Sequence, residues 1–186
     1  MSTSGSSMPA GDAAIVLPEG FERVQHPELR RFMQWYLTMR GEQRMVPAKK
    51  LDPTELKPLL ARAFYYDHLP ATDDFRLRLA GEEIRAVLPN ARRGAHLAEV
   101  IPGNVLEQVR DRYRRIVTEP AVFHGIGRVF FTIGNPGLGE RLVVPLADES
   151  GVATQIFGAT FYDFSENPWR SQTYSHEDVE STFIPL

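Results

Sequence analysis

Three strand-like stretches in a row constrain this chain more than any other feature. They are AVFHGIGRVFFTI from Ala121, ERLVVPLAD from Glu140 and TQIFGATFYDF from Thr154. All three are rich in β-branched and aromatic residues, the composition of a pleated, buried surface. Only Gly134-Asn135-Pro136-Gly137-Leu138-Gly139 separates the first two, and a turn at Glu149-Ser150-Gly151 joins the second and third. Connections this short join antiparallel neighbours, because a parallel return needs a dozen residues or more. The spacing therefore predicts a three-stranded meander. Its glycine-rich segment lies between two strands and not before a helix, so it is a hairpin rather than a phosphate cradle.

Two further strands precede the meander. Phe64-Tyr65-Tyr66-Asp67-His68 is one, and Leu69 to Asp73 is a turn. Phe75, Leu77 and Leu79 then alternate with Arg76 and Arg78, a period of two that predicts a half-buried strand with its arginines toward solvent. Gly81 ends that strand. Glu82 and Glu83 sit where a helix dipole favours them, and Ile84, Val87 and Leu88 form the apolar face of a short helix. Asn104 with Glu107 has capping-box spacing. The helix that follows turns Leu106, Val109, Tyr113, Ile116 and Val117 inward, and Arg110 to Arg115 supply a solvated face.

Near the start, Pro27 fits a first helical turn and Gly41 a stop. Leu29, Phe32, Met33, Tyr36 and Leu37 fall on one helical stripe between them. Such a stripe needs a partner, either its own sheet or another protein, and it is the candidate partner or homodimer surface. The domain organisation expected is a flexible tail over 1–20, an N-terminal helix segment over 21–44, one domain over 45–164 and an irregular C-terminal tail over 165–186.

Two strands, a helical crossover and a three-stranded meander make an α+β fold: a five-stranded antiparallel sheet with its helices on one face, plus the N-terminal helix. Composition narrows the function. The 186 residues carry a formal net charge of -3, without the basic field that nucleic acid binding needs. The absence of cysteine excludes disulfides, thiol catalysis and cysteine-held metal. No apolar run approaches a membrane span and the first residues lack the pattern of a secretory signal, so a cytoplasmic protein without membrane contact is expected. The five histidines show no metal-ligand spacing, and there is no Gly-x-Ser-x-Gly, Walker or His-Glu-x-x-His motif.

Three segments carry a resemblance. They are Pro47-Ala48-Lys49-Lys50-Leu51-Asp52-Pro53, Phe75-Arg76-Leu77-Arg78-Leu79-Ala80-Gly81 and Val143-Val144-Pro145-Leu146-Ala147-Asp148. In order and spacing, from about Met45 to Phe164, the chain resembles a PAS-type family of mainly alphaproteobacterial proteins long known as a domain of unknown function. After Gly81 it departs, with Val87 to Gly94 where the family often has a glycine-containing Phe-Gly segment. The resemblance implies a PAS-like fold and a sensory or protein–protein signalling role, not an enzyme.

A ligand pocket would lie between sheet and helices. Its expected apolar lining is Phe75, Leu77, Leu79 and Ile84, with Phe131, Val144 and Phe157 from the meander and Phe64 or Tyr65 from the first strand. Tyr113, Gln155 and Thr160 are the candidate polar anchors for a small, largely apolar ligand. The same residues are also consistent with a filled core. Haem-binding PAS domains take one histidine from the helical region, which singles out His96, but its neighbours give no further support. A flavin photoreceptor of the cysteine type is excluded and noncovalent flavin has no support, so no cofactor is expected. The rival functions are a ligand-free interaction module and an α+β cone enzyme of the isomerase or dehydratase kind, which would need an acid–base pair inside the cavity.

Overall fold

The computed structural model describes residues 15–129, 137–163 and 179–186. Phe131, the glycine-rich turn up to Pro136 and the first 14 residues of the N-terminal tail lie outside them. Seven strands form one sheet: β1 Val46–Pro47, β2 Ala63–Leu69, β3 Asp74–Ala80, β4 Ala121–Val129, β5 Gly137–Ala147, β6 Ala153–Asp163 and β7 Val179–Pro185. The order is β3-β2-β6-β5-β4-β7, with β1 laid parallel against β5. The five expected strands are contiguous in it, from the β3 edge to β4, and β4, β5 and β6 are the meander.

The two additions come from segments without a strand's periodicity. The C-terminal tail is not irregular to its end, because Val179–Pro185 pairs antiparallel with β4 over its whole length. Its Phe183 packs edge-on against Phe123 at 5.3 Å, and Ile184 is buried. The N-terminal tail likewise enters the core earlier than expected, since Leu17 is already buried.

The helices are α1 Pro27–Arg40, α2 Lys57–Leu60, α3 Glu82–Val87, α4 Leu97–Val100 and α5 Gly103–Thr118. His26 caps α1 by accepting the Glu28 N–H on Nδ1, and Gly41 ends it at φ +56°. α5 starts at Gly103 with Pro102 as its cap residue, so Asn104 lies inside the helix and caps nothing.

Gly81, at the β3–α3 junction, is required by space rather than by dihedral. A Cβ there would stand 2.1 Å from the Leu60 carbonyl oxygen and 2.3 Å from that of Ala61. The same close approach lets the Gly81 N–H donate to Ala63 O and the Glu83 N–H to Ala61 O.

The sheet is buried on both faces. One core, beneath α3, α4 and α5, gathers Phe64, Tyr66, Phe75, Leu77, Ile84, Val109, Tyr113, Phe123, Val143 and Ile156. The other, beneath α1, gathers Leu29, Phe32, Met33, Tyr36, Tyr65, Leu142, Val144, Phe157 and Ala159. α1 therefore spends its stripe on its own sheet. Leu29, Phe32, Met33 and Tyr36 are fully enclosed, Leu37 packs partly buried beside them, and the Tyr36 hydroxyl donates to Pro145 O at 2.7 Å. The reading of this stripe as a free partner or dimer surface is corrected: its apolar area is already removed from water within the chain.

Candidate functional site

Consecutive residues of a strand point to opposite faces, and this divides the expected pocket in two. Phe75, Leu77, Ile84 and Tyr113 do meet under the α3–α5 layer. Val144 and Phe157 are register partners on the other face, beneath α1, where Val143 and Ile156 replace them on the α5 side. Gln155 shares that far face, and its Oε1 accepts from the Tyr65 hydroxyl while its Nε2 donates to Asp67 at 2.9 Å.

Leu79 crosses over for a different reason. The β2–β3 register shifts between Tyr65 and Tyr66, so that Tyr65 opposes Leu79 and Tyr66 opposes Leu77. The extra residue, Arg78, is a bulge, and beyond it the alternation is inverted. Leu79, Tyr65, Phe157 and Val144 thus line up across four strands on the α1 side. Phe131 lies outside the described residues.

The face under α5 holds an aromatic cluster centred on Tyr113. Its ring lies 5.5 Å from Phe75, 5.6 Å from Tyr66 and 6.2 Å from Phe64. Both tyrosines are enclosed, Tyr66 at 3 % and Tyr113 at 4 % exposure. Among the described residues neither hydroxyl has a hydrogen-bond partner. Burial raises both phenols, Tyr66 well above the ordinary value of 10, so they are O–H donors at neutral pH.

Two arginines complete the cluster. Arg141, on β5, donates from Nε to Thr160 Oγ1 at 2.8 Å, which places the expected anchor Thr160 beside a cation absent from the sequence-based site. Burial holds the Arg141 guanidinium below its ordinary value, and Tyr113 and Tyr66 partly oppose that. Arg112, expected on a solvated helix face, instead lies over the Phe123 ring at 4.5 Å. Burial and then the Arg141 charge push it down to about 10. The other arginines of α5 are surface pairs: Arg110 with Glu107, Arg114 with Asp73 and Asp111, Arg115 with Glu119.

A second polar cluster lies on the opposite face. His124 and Glu140 are 2 % and 5 % exposed, with His124 Nε2 2.7 Å from Glu140 Oε1. Glu140 also accepts the N–H groups of Gln25 and His26, and the His26 ring stacks 3.9 Å from Phe161. Burial alone would raise the Glu140 carboxyl, but the hydrogen bonds from His124 and the two amides reverse that and hold it below the usual range.

His96, the residue singled out for haem, is exposed, and its Nδ1 lies 2.7 Å from Asp74 Oδ2 at the outer edge of β3. Among the described residues no group of histidines and carboxylates has the arrangement of a metal site, and no helix is long and apolar enough to cross a membrane.

The order β3-β2-β6-β5-β4 with helices inserted between β3 and β4 is the framework on which the comparisons with known proteins bear. No curated protein matches the chain. A family profile described as a PAS domain matches residues 24–161, from the lead into α1 almost to the end of β6, so the N-terminal helix falls inside the matched region. The chain belongs to the PAS domain family.

Proposed function

We propose that this PAS domain is a sensory module that signals through contacts with another protein, a second copy included, and senses a small molecule on the face beneath α5. The observation that carries the reading is a pair of buried tyrosines, Tyr66 and Tyr113, whose hydroxyls have no hydrogen-bond partner among the described residues. They stand among Phe64, Phe75, Leu77 and Ile84. Apolar walls with a few convergent polar groups are the usual make-up of a small-molecule site. A bound acceptor would give these hydroxyls the hydrogen bond they lack.

Two features favour sensing over catalysis. The lining beneath α5 combines aliphatic, aromatic and guanidinium groups, while the buried histidine–carboxylate pair His124–Glu140 sits on the other face beneath α1. The strands also offer a route outward. β5 and β6 present Val143 and Ile156 to the ligand side and Val144 and Phe157 to α1, so a shift in either strand is felt on both faces. The working location proposed is the cytoplasm, with no cofactor.

The test is native against denaturing mass spectrometry of the purified full chain, with an absorption spectrum. Extra mass lost on denaturation is the expected result. A ligand-free mass, together with no thermal shift across a metabolite panel, would instead favour a ligand-free interaction module.

A further inference from the structure

Independently of any ligand beneath α5, we infer that the entry to α1 is an acid-sensitive catch, in which a proton on the His26 ring opens the first turn of α1 and frees the strap of residues 15–24 before it. The chemistry of one hydrogen bond argues for it. His26 Nδ1 accepts the Glu28 N–H at 3.2 Å, so that nitrogen keeps its lone pair and the ring is neutral. A proton on Nδ1 sets two donors face to face, and the N-cap of α1 is lost. The ring is positioned for this bond by stacking on Phe161, with centroids 3.9 Å apart.

The first turn of α1 also holds the strap. Its Arg30 guanidinium donates to Val24 O and to Ile15 O. When the turn opens, those bonds go with it, and Leu17, Phe21 and Val24 are freed from the α1 core. Glu140 of β5 fixes the pivot, accepting the Gln25 and His26 N–H groups at 2.8 and 2.6 Å, with His124 of β4 on the same carboxylate. Burial works against the Glu140 charge, but these hydrogen bonds hold its carboxyl below the ordinary 4.5, so the pivot survives mild acid. The charged groups around the His26 ring come from several elements. Burial, the largest influence, favours the neutral ring; Glu140 opposes that, Arg62 before β2 adds to it and Glu28 opposes it. Arg62 lies over the Phe161 ring at 4.8 Å and pairs with Glu83 of α3 at 2.7 Å, and Glu28 pairs with Arg31. The balance lies below 6.5, so the catch is closed at neutral pH and opens as pH falls through the weakly acidic range.

Amide hydrogen exchange of the full chain between pH 7.5 and 5.0, corrected for the intrinsic pH dependence of exchange, tests this alongside an NMR titration of the His26 ring. The expected result is exchange about fivefold faster at the acid end over residues 15–30, with its midpoint at the His26 titration and with the β4–β5 amides unchanged. His26→Asn keeps a capping oxygen that does not titrate in this range, so the acceleration should vanish in it. Should that variant fail to fold, agreement of the two midpoints in the parent chain decides. No acceleration in the parent, or acceleration that persists in folded His26→Asn, would overturn the catch. So would a midpoint away from that of the ring, or β4–β5 amides that open in parallel, since the event would then be global unfolding.

Discussion

His124 Nε2 lies 2.7 Å from Glu140 Oε1 across the β4–β5 pair, and the same carboxylate holds the two backbone N–H groups that lead into α1. One buried anion thus ties the meander to the start of the N-terminal helix. Removing one partner of a buried pair costs about 3–5 kcal/mol, because the other is left charged and uncompensated. His124→Ala is expected to lose that much in urea unfolding. A loss under about 1 kcal/mol would show that the amides alone satisfy Glu140.

The pH dependence follows from the same cluster. Glu140 is held below its ordinary 4.5, so the unfolded chain binds its proton more readily, and stability is lost as pH falls through the folded value. His26 is lowered from 6.5, chiefly by burial, so its contribution is complete above 6.5 and declines as pH falls below it. Both act in one direction. Melting temperature should fall on acidification from about pH 6.5 downward, and Glu140→Gln should flatten the lower part of that curve. An unchanged profile in this variant would remove Glu140 from the account.

Phe32 is enclosed between α1 and the sheet, 5.5 Å from Phe157. Phe32→Ala should cost about 3–5 kcal/mol of stability. The association state of the molecules that remain folded, read by light scattering, should not change. A shift in association at unaltered stability would return α1 to the role of an interface.

Two tyrosine hydroxyls make a matched comparison. Tyr36 donates to Pro145 O, whereas Tyr113 has no partner among the described residues. Tyr36→Phe should cost about 1 kcal/mol and Tyr113→Phe close to nothing in the free protein. Equal losses in denaturant titrations would mean that Tyr113 has an acceptor.

At Gly81 an added methyl meets two backbone carbonyl oxygens that cannot turn aside. Gly81→Ala should therefore cost about 1–3 kcal/mol or more as overpacking. A variant as stable as the parent would show that the β3–α3 junction yields.

The middle of the sheet was legible because alternation and turn chemistry announce strands independently of what covers them. Phe75 and Leu77 show this, with Arg76 outward between them. Facing was not legible where both sides are apolar. Val143-Val144 and Ile156-Phe157 have no polar member to mark the outside, and only the α1 core reveals that each pair divides between two faces. Leu79 was misplaced by a single-residue bulge, which leaves no mark in the residues around it.

The polar clusters were hidden for another reason. Arg141 sits next to Leu142 in an apolar strand, and Arg112 among three arginines that do face outward, so composition assigns neither to the interior. His124 and Glu140 flank a hairpin whose register alone brings them together. Their signal was two polar residues in otherwise apolar strands, readable only once that hairpin is set. β7 had least to show, since Val179-Glu180-Ser181-Thr182 has no apolar alternation and is a strand because β4 offers it an edge.

The strand order has a consequence for how the molecule comes into being. β6 pairs with β5, its neighbour in the chain, and also with β2, where Ala63 opposes Ala159 and Asp67 opposes Gln155. The β2–β3 hairpin can form early, but it stays unjoined to the meander until β6 has left the ribosome. Closing a loop of that length precedes any reward from it. Synthesis therefore passes through a stage in which β2 has no β6 beside it and Phe64, Tyr66 and Phe75 lack the meander part of their core. That stage, more than the finished fold, is where the chain is exposed to aggregation and where a chaperone would engage it.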